Sequence, residues 1–337
     1  QELLHHSDFS NLTRLKSILL EYRAGLESMV IQSGHRLAIS LAARNLSATR
    51  MLSETWSGVH QLQTIKRLSD DITEQDLIAL SGELTAIGKG LFTQANFRMA
   101  LIGEAPALTE ARSCAKSIFD GFKPGEEDGF RAPDMAIDGG ALREGWSTSS
   151  AVSFVALAFE TVRMAHEDAA VLAVISKMLR SMYLHREIRE KGGAYGGFAL
   201  YSPEDGLFSF ASYRDPHIVS TLEAFDNAAA FIRSGNFSEE DVKEAILQVC
   251  SEIDKPDPPG PAARKAYYRK IISLSDEMRT RFKSRLLSLT RSQVMQAAEK
   301  YFNGSEAQKA VAVISGEDKL KAANEKLAGK PLELHQI

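Results

Sequence analysis

Apolar side chains recur at helical spacing through residues 10 to about 90. Leu12, Leu15, Ile18, Leu19 and Tyr22 form one stripe, with Ser10 placed to cap it. Gly34-His35 punctuates the run, and Leu37, Leu41 and Ala42 resume it. Ser47 and Gly58 bracket a shorter helix, and Thr73-x-x-Asp76 is a capping pattern for one running to Gly90. Phe97-Arg-Met-Ala-Leu-Ile102 then predicts a buried strand closed by Gly103. One strand after so much helix cannot form a sheet by itself, so its partners are expected upstream, outside the chain. Residues 107–120 predict another helix, and the polar, turn-rich stretch 121–133 predicts a linker.

Beyond the linker the period changes. Met135–Ile137, Val152–Phe159, Ala194–Tyr201 and Leu207–Tyr213 predict strands, the last two paired antiparallel across Ser202-Pro-Glu-Asp-Gly206. Residues 168–190 predict a helix with Leu172, Ile175, Leu179 and Met182 along one face. Residues 218–303 read as helical apart from Lys255-Pro-Asp-Pro-Pro-Gly-Pro261, and Ala310–Ile314 is a final strand. The order helix, strand, Gly-Glu, helix occurs twice, through Ala100-Leu-Ile-Gly-Glu104 and again through Ala312-Val-Ile-Ser-Gly-Glu317. This echo predicts an α+β chain of tandem homologous domains, each an antiparallel sheet flanked by helices. The first, 1–120, is incomplete at its N-terminus and mainly helical; the second is 134–337.

Hydrophobic content of 44% and charged content of 25% are those of an ordinary globular protein, and a net charge of −4 gives no pull toward nucleic acid. The basic residues between Arg264 and Arg285 are offset by Asp254, Asp257, Asp276 and Glu277, which marks a solvated helix surface. No apolar run is long enough for a membrane span, and none has the flanks of a secretory signal. Cys114 and Cys250 form no metal or redox spacing, which favours a reducing compartment. The chain opens Gln1-Glu2-Leu3-Leu4, a helical pattern without an initiator methionine, and is read as a piece of something longer.

The candidate chemistry lies in His185–Leu200. Arg189 and Tyr195 flank a Lys191-Gly192-Gly193 break, where a helix ends and a strand begins. Lys191 precedes the glycines and the order is helix then strand, so this is not a phosphate loop. Gly192 and Gly193 suit a helix C-cap. Gly196 and Gly197 inside a strand weaken it unless another backbone approaches closely, as an extended peptide added to the sheet would. A fixed cation and a phenol at such a junction can grip a peptide but have no means of cleaving it.

Arg189-Glu-Lys-Gly-Gly-Ala-Tyr195-Gly-Gly197, with Ser212-Tyr-Arg-Asp-Pro216, resembles the C-terminal domain of the presequence protease branch of the pitrilysin/insulysin metallopeptidases. Ser33-Gly34-His35, Glu54-x-x-x-Gly58 and Leu274-Ser-Asp-Glu-Met278 match as well. The resemblance implies four α+β domains in two halves that close around a peptide chamber, with 1–120 the later part of the third domain and 134–337 the fourth. It implies a zinc-dependent endopeptidase acting on targeting and other unstructured peptides. The zinc would be held by an inverted His-x-x-Glu-His motif in the N-terminal half of the same polypeptide. This chain has no such motif: His5-His6, His166 and His185 all lack its companions. No metal site and no activity of the chain alone are therefore expected. The resemblance gives Arg189 and Tyr195 catalytic roles across the chamber, and Gly192, Gly193, Gly196 and Gly197 are expected as substrate contacts for the added peptide strand. It implies an intracellular location, the mitochondrial or plastid matrix in a eukaryote and the cytoplasm in a bacterium. The alternative is a non-catalytic scaffold or peptide-binding subunit of the same fold, paired with a separate active subunit.

Overall fold

The computed structural model describes residues 8–125, 133–135, 140–303, 309–327 and 329–337. The readings at Gln1–Leu4 and His5-His6, most of the 135–137 strand and residues 126–132 of the linker lie outside these. Helices α1 (Leu12–Ala43), α2 (Ala48–Ser57), α3 (Val59–Ser69), α4 (Glu74–Leu91) and α5 (Ala105–Asp120) come first. Strands β1 (Arg143–Ser147) and β2 (Phe154–Glu160) follow, then α6 (Ala169–Met178), which runs on as a π-wound helix over Leu179–Lys191. Next come β3 (Gly196–Ser202), β4 (Leu207–Tyr213), α7 (Val219–Ser234), α8 (Glu239–Ile253), α9 (Pro259–Ile271), α10 (Asp276–Leu287) and α11 (Arg291–Phe302). Strand β5 (Ala310–Ser315), α12 (Glu317–Lys326) and β6 (Glu333–Gln336) complete the order.

Two compact units form, and neither is continuous in sequence. One gathers the described residues of Gln1–Gly25, Ile65–Asp134 and Pro256–Ser275; the other gathers Leu26–Thr64, Met135–Lys255 and Asp276–Ile337. In the first unit, α1 starts at Asn11, whose side-chain oxygen accepts the Arg14 backbone N–H at 2.9 Å. Ser10 is not that cap, because its N–H and hydroxyl turn back to Asp8. Thr73 and Asp76 form a reciprocal capping box at the head of α4. The strand predicted at Phe97–Ile102 is not one among the described residues. Phe97 packs on Phe119 and Phe122, while Met99, Leu101 and Ile102 stand exposed. Helix α5 buries none of its side chains. A strand needs neighbouring strands to take its backbone groups, and no strand among the described residues pairs with 97–102.

The second unit is built on a mixed sheet of six strands ordered β3-β4-β2-β5-β1-β6. β1 runs parallel to both β5 and β6, and the other pairings are antiparallel. Four of the strands match the sequence pattern. β1, with Glu144 and Gly145 inside it, and the four-residue β6 do not alternate and were not predicted. The register aligns Ala211, Ala156 and Ala312 across β4, β2 and β5, and sets Ala158 beside Ala310. Side chains alternate between faces, so one face carries these alanines with Phe154 and Ile314, and the other carries Val155, Leu157, Phe159, Phe208, Phe210, Val311 and Val313. The large face joins the buried core with α6, α7, α8 and α11. Residues from the second half of α1 meet the other face: a Cβ on Gly34 would lie 2.4 Å from the Phe154 ring. Beside it Ser33 leaves the helical region (φ −132°, ψ 24°), at the break the sequence marked.

Candidate functional site

A cavity of about 460 Å³ opens at the β3 edge of the sheet, entirely within the second unit. The π-wound helix supplies Arg180, His185 and Arg189; the following junction and β3 supply Tyr195, Gly196, Gly197 and Phe198. Tyr213 enters from the end of β4, and Gln32, Ser33, His35 and Arg36 from α1. Winding explains the first set. At about 3.6 residues per turn, Arg180 and Arg189 would fall on opposite sides of an α-helix. The slower i→i+5 winding over Leu179–Lys191 lets residues five and then four apart share one face.

The helix ends where its backbone can turn. Gly193 takes φ +75°, and its N–H bonds the Arg189 carbonyl at 3.1 Å, while Ala194 N–H reaches the Ile188 carbonyl at 3.1 Å. At Gly192 a Cβ would stand 2.6 Å from the Ile188 carbonyl oxygen. Tyr195 N–H then bonds the Tyr213 carbonyl at 3.0 Å and starts the ladder, with Gly196 opposite Tyr213. The two strand glycines differ. A Cβ on Gly197 would press on Ile188 and the Leu184 carbonyl at 3.1–3.2 Å, so its absence lets β3 lie against the helix. Gly196 is half-buried, and its nearest neighbour is the Phe198 ring.

Arg189 and Tyr195 stand side by side on the cavity wall. The guanidinium carbon lies 5.8 Å from the Tyr195 ring centroid, and Tyr195 is 67% exposed. Arg189 Nη1 is 3.5 Å from His185 Nε2. The Tyr195 ring meets Tyr213 edge-on at 5.6 Å, and Tyr213 in turn donates its hydroxyl hydrogen to the Gln32 carbonyl at 3.2 Å. Phe198 is flanked by the His35 ring, stacked at 5.5 Å, and by the Arg180 guanidinium at 5.2 Å. Burial, then the neighbouring charge of Arg36, holds the His35 imidazole below its ordinary pKa, so it is neutral near pH 7. Its Nδ1 is buried without a hydrogen-bond partner among the described residues.

Among the described residues no carboxylate lines the cavity. Glu190 meets His185 Nδ1 at 3.2 Å, and Glu187 is held by Lys191 and Arg186. The wall thus offers fixed cations, a phenol and aromatic faces. It has no nucleophile–base pair, and among the described residues no three His, Cys, Asp or Glu side chains converge to hold a metal. The sequence reading placed Arg189, Tyr195 and the glycines here and missed Arg36, Arg180, Phe198 and Tyr213 as wall residues. His35 stood in a quoted motif with no role, and an α-helical reading puts Arg180 out of reach of Arg189.

Comparison with known proteins gives the family of the chain. A family model described as "PreP C-terminal domain" matches residues 148–317, and a second, for the region associated with subfamily C of the M16 peptidases, matches residues 1–68. The mitochondrial presequence protease of Danio rerio is 30% identical over 94% of this chain and 32% of its own length. That of Kluyveromyces lactis is 31% identical over 89% of this chain and 31% of its own length. The chain thus spans about a third of the curated relatives it matches. Among solved structures, a peptidase M16 inactive domain from Pseudomonas fluorescens shares the fold at TM-score 0.61 and 18% identity, over 96% of this chain and 72% of that one. Pitrilysin does so at TM-score 0.61 and 14% identity, over 97% of this chain and 33% of its own. With half of its length matched by the first model, and with the fold of the pitrilysin-like peptidases around the cavity, the chain belongs to the presequence protease family and carries that family's C-terminal domain.

Proposed function

We propose that the chain is the C-terminal part of a zinc-dependent endopeptidase that degrades targeting peptides and other short unstructured peptides. Its partner is the N-terminal half of the same polypeptide, and together they enclose the substrate. In this reading 1–120 is the later part of the third family domain and 134–337 the fourth. The family implies zinc, and the described residues do not fit it: the three-donor cluster it needs is not among them. The metal is therefore assigned to the other half, and the chemistry of this chain is that of holding and polarising.

The observation that carries the reading is the Arg189–Tyr195 pair on one open cavity beside β3, the edge strand of the sheet among the described residues. A peptide laid along that edge can pair with backbone groups β4 does not use. The small profile of Gly196, with the turn at Gly192-Gly193, leaves room for its main chain. Tyr195 then donates its phenolic hydrogen to the scissile carbonyl oxygen as charge develops there. Arg189 holds the substrate backbone or a carboxylate through its forked donors. The relatives named mitochondrial suggest the matrix as the compartment for a eukaryotic source, with the cytoplasm for a bacterial one.

The test is to combine the chain with the N-terminal half and follow cleavage of an unstructured peptide. Tyr195→Phe is expected to lower kcat by about 10²-fold with KM little changed, because the lost bond forms in the transition state. Unchanged turnover removes the catalytic assignment. The scaffold reading makes the opposite forecast, cleavage by a separate active subunit that is indifferent to this substitution.

A further inference from the structure

The cavity holds more positive charge than the reaction above requires. Arg36, Arg180 and Arg189 all line it, and none of the three makes an ion pair with a carboxylate among the described residues. Two of them are oriented by aromatic rings: Arg180 lies over Phe198 at 5.2 Å and Arg189 over Tyr195 at 5.8 Å. Such contacts use the ring face and leave in-plane N–H donors for a ligand, although Arg189 Nη1 also lies 3.5 Å from His185 Nε2. Surface arginines in ordinary folds are solvated singly or paired. Here three share one concave wall, and like charges gathered in a concavity attract an anion.

We propose that this wall is a carboxylate-reading subsite, in which Arg36 and Arg180, with Arg189, select peptides presenting a carboxylate, from a free C-terminus or an acidic side chain. The inference rests on the reading that a peptide lies along the β3 edge, and it adds what that peptide must carry. A planar carboxylate matches the forked donors of an arginine and can be shared by two. The aromatic rings of Phe198 and Tyr213 give the neighbouring part of the peptide an apolar floor. The same wall disfavours Lys and Arg side chains, so the basic residues of a targeting peptide must point away from it.

The chain alone suffices for the test. Four N-terminally labelled unstructured peptides of one length are titrated by fluorescence anisotropy. Two lack acidic side chains and differ only in a free or amidated C-terminus; two are amidated and differ only as Glu or Gln at one internal position. The expected result is that one charged peptide binds about tenfold tighter than its neutral isostere, and the pair that shows it names the source of the carboxylate. Arg36→Gln and Arg180→Gln should each erase most of that preference. Both sites are at the surface of the cavity, and an unchanged circular dichroism melt confirms the fold of each variant. Equal binding of charged and neutral peptides overturns the subsite while leaving the peptide-edge reading intact. A preference that survives both substitutions also overturns it, and no binding of any peptide up to millimolar concentration sinks both readings.

Discussion

Gly58 sits where the carboxylate of Glu54 folds back over the start of α3. One oxygen of Glu54, a side chain only 1% exposed, accepts the backbone N–H groups of Val59 and His60 at 2.7 and 3.3 Å. A Cβ on Gly58 would lie 2.1 Å from that carboxylate. Gly58→Ala is therefore expected to cost about 1–3 kcal/mol in stability, read as a lower denaturation midpoint with an unchanged slope. The Glu54-x-x-x-Gly58 spacing was visible in the sequence; its packing reason was not. Arg44 and Glu144 make a second buried pair, joined through both guanidinium nitrogens, with Trp146 Nε1 donating to Glu144 at 3.0 Å. Burial alone would raise the Glu144 pKa, but the bonds from Arg44 and Trp146 and the nearby charges outweigh it and hold the group below its usual range. A carboxylate depressed in the folded state stabilises above its unfolded pKa, and that contribution is lost as pH falls through the folded value. Stability should thus decline on acidification below about pH 4.5, and the decline should be shallower in Glu144→Gln. Arg44→Met strands the carboxylate and should cost about 3–5 kcal/mol near neutral pH, measured by denaturant titration.

Among the secondary-structure elements, the two copies of the internal echo meet different fates. β5 is buried along its whole length between β2 and β1, after helix α11 with its Thr290 capping box. Phe97–Ile102 follows α4 with the same kind of cap, precedes Gly-Glu and a helix in the same way, yet has no ladder. Periodicity cannot tell these apart, because strand character becomes structure only when neighbours supply hydrogen bonds. Hydrogen exchange of the chain alone should show the amides of 97–102 exchanging near free-chain rates, with those of Val311–Ile314 protected close to the global limit. Protection of 97–102 in the chain alone would show a pairing that the described residues lack. The π winding is the other surprise. The Leu172, Ile175, Leu179 stripe predicted a helix and found one, but not the change of pitch that puts Arg180, His185 and Arg189 on one wall.

For the chain in its entirety, the proposed role is to hold a peptide rather than to cut it. Three of the basic residues near α9 and α10 are answered by acids: Lys265 by Asp257, Lys283 by Asp254 and Arg279 by Asp276, all within 2.8 Å. No helix among the described residues is long and apolar enough to cross a membrane. The chain alone, with zinc added at stoichiometric concentration, should hydrolyse no unstructured peptide, as followed by mass spectrometry. Hydrolysis under those conditions would require a metal site that the described side chains do not form. The compact units also cut across chain order. Leu26–Thr64 belongs with the sheet-bearing unit although it precedes the linker by some sixty residues. Leu37, Leu41 and Ala42 stood in an apolar stripe at helical spacing and are buried, but the stripe could not say against what.

The amino-acid order alone determined the helices, four of the six strands, the β3–β4 hairpin and the break that places Arg189 and Tyr195 at one junction. Those features depend on near neighbours in the chain: spacing, caps, turns and glycine. The folded structure decided which segments share a core, that β1 and β6 are strands at all, and which residues join Arg189 and Tyr195 on the cavity wall. Such outcomes depend on contacts between residues far apart in sequence, Gln32 with Tyr213 or His35 with Phe198, and on a helical pitch set by packing. No local pattern carries that information, because the free energy that selects it comes from burying surfaces against one another.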